Sequence, residues 1–209
     1  MTSFEQAKHN MIQQQIRPWE VLDQRVLEAF DKVDRHLFVP EPLRGLAYAD
    51  CQLPIVDDRR MLAPTVEGRM LQALRLSADD LVLEIGCVSG YITACLATLA
   101  RHVTSCDFSS AAVELARTNL EALDITNINL KTIDSLSDIN QREKFDAITV
   151  TAGALHHIPQ NLLDALAIGG RLFVIMGDPP ARRAILVTRD GLREWSRQTL
   201  FETDIDTLQ

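Results

Sequence analysis

The residues of this sequence that could do chemistry are three acids and a glycine turn, each at the end of an apolar run. Leu81-Val82-Leu83-Glu84-Ile85 runs into Gly86-Cys87-Val88-Ser89-Gly90, and Tyr91-Ile92-Thr93-Ala94 follows with helical character. Strand, tight turn and helix in that order put a helix N-terminus at the carboxyl end of a strand, where open α/β sheets take nucleotide-like ligands. Glycine at 86 and 90 alone is not the Gly-x-Gly-x-x-Gly dinucleotide fingerprint, which weighs against a nicotinamide enzyme. The next apolar run ends in Cys106-Asp107-Phe108, a carboxylate placed to accept hydrogen bonds from ribose hydroxyls. A third run ends in Ile133-Asp134-Ser135, where an adenine amino group could be met. Singly, Asp107 and Asp134 read as residues that begin loops. Jointly with the glycine turn, they read as one rim of a pocket.

Two residues in this stretch ask for an explanation. Glu84 lies inside an apolar strand, a costly place for a carboxylate without a partner. A cationic ligand group, an arginine or backbone amides would each serve. Val88 sits where a close approach of backbone to ligand favours glycine.

The positioning elements follow from periodicity. Residues 4–16 carry Phe4, Ala7, Met11 and Ile12 at helical spacing, ending at Arg17-Pro18. Asp23 reads as the N-cap of a second helix carrying Val26, Leu27, Phe30 and Val33. Residues 48–60 read as an irregular loop or short strand, and Pro64 as the first turn of a third helix. Strands over 81–85, 102–106, 128–133, 145–150 and 171–176 then alternate with helices over 91–100, 110–123 and 159–166. Near-continuous apolar strands separated by helices predict a parallel sheet. Ala184–Thr188, Asp190-Gly191 and Leu192–Trp195 predict a closing hairpin turned at Asp-Gly, hence an antiparallel end to the sheet. The whole reads as one α/β domain over 1–209, with an N-terminal helical extension over 1–76 and a Rossmann-like core over 77–209.

Composition sets outer limits. With 46% hydrophobic and 24% charged residues, the chain is of ordinary globular make-up. A net charge of −8 without a basic run disfavours nucleic acid as a partner. No run approaches the ~18 apolar residues of a membrane span, and the N-terminus lacks a signal-like apolar segment. Cys51, Cys87, Cys95 and Cys106 form neither a disulfide framework nor, with the five histidines, a metal spacing, so no metal is expected. Reduced thiols in a cytoplasmic protein are the expectation. The sequence leaves the oligomeric state open.

At this point a family resemblance enters. Val82-Leu83-Glu84-Ile85-Gly86 with Ser89-Gly90-Tyr91 resembles the first motif of class I S-adenosylmethionine-dependent methyltransferases. Asp23–Ala29, Arg35–Pro40, Ala47–Asp50, Phe145–Ala152 and Gly169–Val174 extend it, in order, to the protein-L-isoaspartate O-methyltransferase family. The resemblance implies a seven-stranded, mostly parallel sheet with an antiparallel last strand. It implies S-adenosylmethionine as cofactor, and protein or peptide substrates whose isoaspartyl carboxylate is methylated, the ester then collapsing to a succinimide in protein repair. A carboxylate is already a nucleophile and a sulfonium already a leaving group, so catalysis would rest on positioning and water exclusion, with no catalytic residue assigned. Glu84, Gly86, Cys87, Ser89 and Gly90 match the cofactor loop. Asp107 with Phe108 falls at the ribose, and Asp134 with Ser135 beside the adenine.

The chain departs from the family at two places. Val88 replaces a glycine of the first motif. In the substrate loop, Arg59-Arg60-Met61-Leu62-Ala63-Pro64, Leu62 stands for a serine and Ala63 for a glutamine, which removes a hydroxyl beside the reacting groups. Arg59 and Arg60 could bind a carboxylate instead, or form a solvated pair balancing Asp57 and Asp58. The departures keep open a relative that methylates another acceptor, or one that retains the fold for binding alone. His156-His157 reads as structural, not as a general base.

Overall fold

A computed structural model describes residues 3–140 and 142–208. At its centre is a seven-stranded sheet of order β5-β4-β3-β6-β7-β8-β9, formed by Leu81–Ile85 (β3), His102–Asp107 (β4), Ile128–Thr132 (β5), Phe145–Val150 (β6), Leu166–Met176 (β7), Arg182–Gly191 (β8) and Glu194–Thr203 (β9). The chain builds outward from β3 to β5, then returns to β6 on the other side of β3, which makes the β3/β6 junction a topological switch point. Strands β3 to β7 pair in parallel. β8 runs against β7, and β9 against β8, so β8 is the one reversed strand and β9 closes the edge.

Alternation along each strand sorts the apolar side chains onto two faces. Val82, Val103 and Ala147 belong to one buried cluster; Leu83, Ile85, Cys106 and Ile148 belong to the other. Burial on both faces is why the strands are apolar without a break. Tyr91–Leu99 (α4) and Ser110–Glu121 (α5) follow β3 and β4, and Gln160–Ala165 (α6) follows β6.

The N-terminal elements pack on one face of this sheet, in the cluster that holds Val82, Val103 and Ala147. Ser3–Asn10 (α1) continues into a wider π-type turn over Met11–Ile16, where the sequence predicts one helix over 4–16; the wider turn lets Met11, Ile12 and Ile16 all be buried. Asp23 caps Gln24–Lys32 (α2) by accepting from the Arg25 N–H, as its side chain predicts. Arg25 then ties this helix to the core through the carbonyls of Leu76 (2.5 Å) and Leu99 (2.9 Å). Pro64–Leu74 (α3) starts on its proline.

Two further stretches differ from the sequence expectation, besides β7, which begins at Leu166 and not at Arg171. Residues 48–60 contain a definite hairpin, Leu53–Val56 (β1) with Arg59–Met61 (β2), separate from the main sheet and turned at Asp57-Asp58. The closing hairpin turns at Leu192-Arg193, not at Asp190-Gly191, because Gly191 already pairs with Glu194. Arg189 supplies the reason: its guanidinium donates to the carbonyls of Gly191 (3.1 Å), Leu192 (2.8 Å) and Leu166 (2.6 Å), fixing the irregular stretch inside the strand.

Candidate functional site

The glycine turn is shaped first by packing. Gly86 has φ +114°, and a Cβ there would run into the backbone of Ala152 after β6, so the switch point itself requires glycine. Gly90, at φ +88°, begins α4. Between them Val88 adopts φ +50°, a left-handed conformation that a β-branched residue rarely takes. Its side chain is buried, and its N–H donates to Asp107 Oδ2 at 3.2 Å. The strain is thus coupled to the acid at the end of β4.

Asp107 is fully buried and its carboxylate is surrounded. Oδ2 accepts from Val88, while Oδ1 accepts from the Ser109 N–H (3.0 Å) and meets Arg59 Nε at 3.1 Å. The carboxylate therefore joins the glycine turn, the start of α5 and the β1–β2 hairpin. Arg59 also lies 5.8 Å over the Phe108 ring, and Asp57, at the hairpin tip, accepts from Ser109 Oγ at 2.6 Å.

Glu84 points to the α4 face of β3, away from any opening. Its Oε2 accepts from Thr93 Oγ1 (2.5 Å) and Ser105 Oγ (2.6 Å), so its partners are hydroxyls. Burial pushes its carboxyl up to about 7 in spite of those hydrogen bonds. Burial likewise raises the thiols of Cys87 and Cys106, the latter to about 12, which keeps both protonated and poorly nucleophilic.

Three cavities run along this rim. Beside Phe108, Asp134, Ser135, Leu136 and Leu155 lies one of about 380 Å³. Asp134 and Ser135 donate their backbone N–H groups to Asp138 Oδ2, both at 2.9 Å, which fixes the turn. His156 and His157 lie at the same cavity, exposed. Next to the hairpin is a cleft of about 700 Å³ with Arg59, Arg60, Arg182 and Ser109 on its walls. Under the glycine turn the space narrows to about 20 Å³, enclosed by Val88, Ser89, Tyr91, Leu62 and Glu67. About 20 Å³ is room for a single water.

The narrow end contains a group that the sequence reading missed. Glu67 and Arg35 form a fully buried ion pair, and Arg35 Nη2 donates to the Leu62 carbonyl at 2.7 Å. This fixes Leu62 and Ala63, and with them the entry to α3. Glu67 Oε1 and Ser89 Oγ are buried without a hydrogen-bond partner. Glu67 lies among Val66, Met70 and Leu71 on a helix buried nearly all round, and a charge in such surroundings was the available signal. Arg60 pairs with the exposed Asp206, at 3.4 Å. Among the described residues no group of histidine, cysteine and acidic side chains is arranged to hold a metal, and no helix is long and apolar enough to cross a membrane.

The site can be set beside known proteins. The protein-L-isoaspartate(D-aspartate) O-methyltransferase family model matches residues 5–201. A protein-L-isoaspartate O-methyltransferase 1 of Syntrophobacter fumaroxidans is 41% identical over 187 residues, 90% of this chain and 87% of that protein. The Petrotoga mobilis enzyme of the same name is 38% identical, over 89% and 87%. A Plasmodium falciparum structure of this kind, in complex with S-adenosyl-L-homocysteine, superposes with a TM-score of 0.80 over 100% of this chain and 99% of that one; at 19% identity it speaks for the fold. The chain belongs to the protein-L-isoaspartate O-methyltransferase family, whose members are S-adenosylmethionine-dependent enzymes on the class I methyltransferase fold.

Proposed function

We propose that the chain methylates the free carboxylate of isoaspartyl residues in proteins or peptides, with S-adenosylmethionine as donor, in a cytoplasmic repair role. The residues fit that cofactor in kind. Asp107 ends β4 where ribose hydroxyls would donate to it, and Phe108, Asp134 and Ser135 border an adenine-sized cavity. At the amino-acid end, Ser89 Oγ and Glu67 Oε1 are buried polar atoms without a partner, beside Gly86 and Gly90. An unpaired buried polar atom costs about 1–3 kcal/mol, so a polar ligand group is favoured there. Space is what this end lacks, and the hairpin and Val88 are what limit it. Four free cysteines suit a reducing compartment. We read residues 1–209 as one methyltransferase domain, with 1–76 as its helical extension.

When bound, the cofactor supplies an electrophilic methyl group. The chain's part is to hold and orient. Asp107 would fix the ribose, and the glycine turn the amino-acid end. Arg59 and Arg60 would bind the acceptor carboxylate where Leu62 offers no hydroxyl. No general base is required, since the acceptor is ionised at neutral pH. Hydrophobic Met61, Leu62 and Val88 would keep water from the reacting groups.

The observation that carries this reading is Asp107, a buried carboxylate at the carboxyl end of β4, shared by the glycine turn, the start of α5 and the β1–β2 hairpin. Calorimetry with S-adenosylhomocysteine tests it: the native chain should bind, and Asp107→Ala should bind at least about tenfold more weakly, roughly 1.4 kcal/mol. No heat and no thermal shift at millimolar ligand would overturn it.

A further inference from the structure

The carboxylate that the cofactor's ribose needs is already taken. Arg59 Nε lies 3.1 Å from Asp107 Oδ1, with the arginine side chain 15% and the aspartate 0% exposed. The N–H groups of Val88 and Ser109 also donate to this carboxylate, which has no surface exposed to solvent. A ribose cannot bind bidentately there while the guanidinium stays.

The arginine, however, sits on a part of the chain that can leave. β1 and β2 have four and three residues, pair only with each other and have an irregular register between Pro54 and Val56. Such a short two-stranded ribbon is marginal alone. Its base is anchored by buried Leu53 and Met61 and by the Arg35 bond to the Leu62 carbonyl. Its tip meets the strand ends through Arg59–Asp107 and Asp57–Ser109, two polar contacts that water or ligand hydroxyls can replace, and through Arg59 over the Phe108 ring. Arg59 and Arg60 also line the 700 Å³ cleft between the hairpin and the Phe108-Ser109 turn, with Arg182 and the acids Asp57, Asp58 and Asp206. A guanidinium released from Asp107 has that cleft to enter, and a carboxylate is the partner its planar donors match best.

We propose that Arg59 is exchanged between two carboxylates: Asp107 holds it until the cofactor's ribose takes its place, and the freed guanidinium then binds the carboxylate of the acceptor. Cofactor binding is thereby coupled to acceptor binding, in that order, through one side chain. The inference rests on the cofactor reading above. It makes two demands of opposite sign on the same residue. Arg59 weakens the first ligand and strengthens the second.

Isothermal titration with S-adenosylhomocysteine, and fluorescence anisotropy with a labelled isoaspartyl peptide, test both demands on the native chain, Arg59→Gln and the milder Arg59→Lys. Arg59→Gln should bind S-adenosylhomocysteine about threefold or more tightly than the native chain, with Arg59→Lys between them. The native chain should bind the peptide several-fold more tightly when saturated with S-adenosylhomocysteine, and Arg59→Gln should lose that enhancement. Equal or weaker S-adenosylhomocysteine binding by Arg59→Gln overturns the exchange, as does peptide affinity in the native chain that ignores the first ligand. Failure of all three chains to bind S-adenosylhomocysteine overturns the cofactor reading itself, and the exchange with it.

Discussion

The two ends of the cleft along the strand termini are built from the same fold but are not in the same condition. The end bordered by Asp134, Ser135 and Leu155 holds about 380 Å³, whereas the end under the glycine turn holds about 20 Å³. The wide end is bounded by exposed turn residues satisfied by local hydrogen bonds to Asp138. The narrow end is bounded by a buried ion pair, an apolar Leu62 and a strained Val88. Asp107 stands between the two ends. The difference teaches that one fold can hold a roomy end and a nearly filled end in the same cleft, according to which side chains its loops supply.

The largest effect should come from breaking the ion pair at the narrow end. Removing one partner of a buried pair leaves the other charged and dry, a loss of about 3–5 kcal/mol. Glu67→Ala should therefore shift the urea unfolding midpoint strongly downward. Asp134→Ala at the wide end should change stability by no more than about 0.5 kcal/mol, since the side chain is exposed and the turn is held by Asp138. Similar losses from the two variants would erase the distinction between a buried and an exposed end.

Acidity provides a second, smaller contrast. Burial pushes the Glu84 carboxyl up to about 7, above the 4.5 of an ordinary glutamate. Between those values the folded state binds more protons than the unfolded state, so stability is greatest below the lower value and falls as pH rises through the upper one. At about 1.36 kcal/mol per unit the change is on the order of 3 kcal/mol. Glu67, raised by burial despite Arg35, acts in the same direction. Unfolding free energies measured from pH 4.5 to 8 should slope downward, and Glu84→Gln should flatten the slope in part. A Glu84→Gln slope equal to the native one would mean that Glu84 is ionised and solvated, since His36, lowered by burial, adds an opposite slope to both chains.

Much of this arrangement is legible in the sequence because it follows from local rules. Apolar strands broken by helices fix the parallel sheet, Asp23 its cap, and Gly86, Asp107 and Asp134 the ends of successive strands. The reversed β8 follows from the closing hairpin, but its turn does not, since Arg189 reaches across to carbonyls of α6 and β7 and overrides the Asp-Gly signal. Non-local contacts are what the sequence hides. Nothing near Arg59 announces that it meets Asp107, far along the chain, and nothing near Arg35 announces Glu67. The partners of Glu84 are hydroxyls from α4 and β4, which periodicity places on facing surfaces without showing that they converge.

Val88 gives the finest division between the two ends, because substituting it acts on only one of them. A left-handed conformation costs a non-glycine residue about 1–3 kcal/mol, so Val88→Gly relieves strain. Against this stand the lost burial of a valine, about 1.5–3 kcal/mol, and the extra chain entropy of glycine, about 0.5–1 kcal/mol. The opposing effects nearly cancel, leaving a net loss of about 1 kcal/mol. Ligand affinity should not cancel in this way. Removing the isopropyl group enlarges the narrow cavity, and S-adenosylhomocysteine, whose amino-acid end would lie there on the proposed reading, should bind several-fold more tightly. 5′-Methylthioadenosine, which has no amino-acid end, should bind Val88→Gly and the native chain alike. An equal gain for both ligands would show that Val88 acts through Asp107, to which its N–H is bonded, and not through the space its side chain fills.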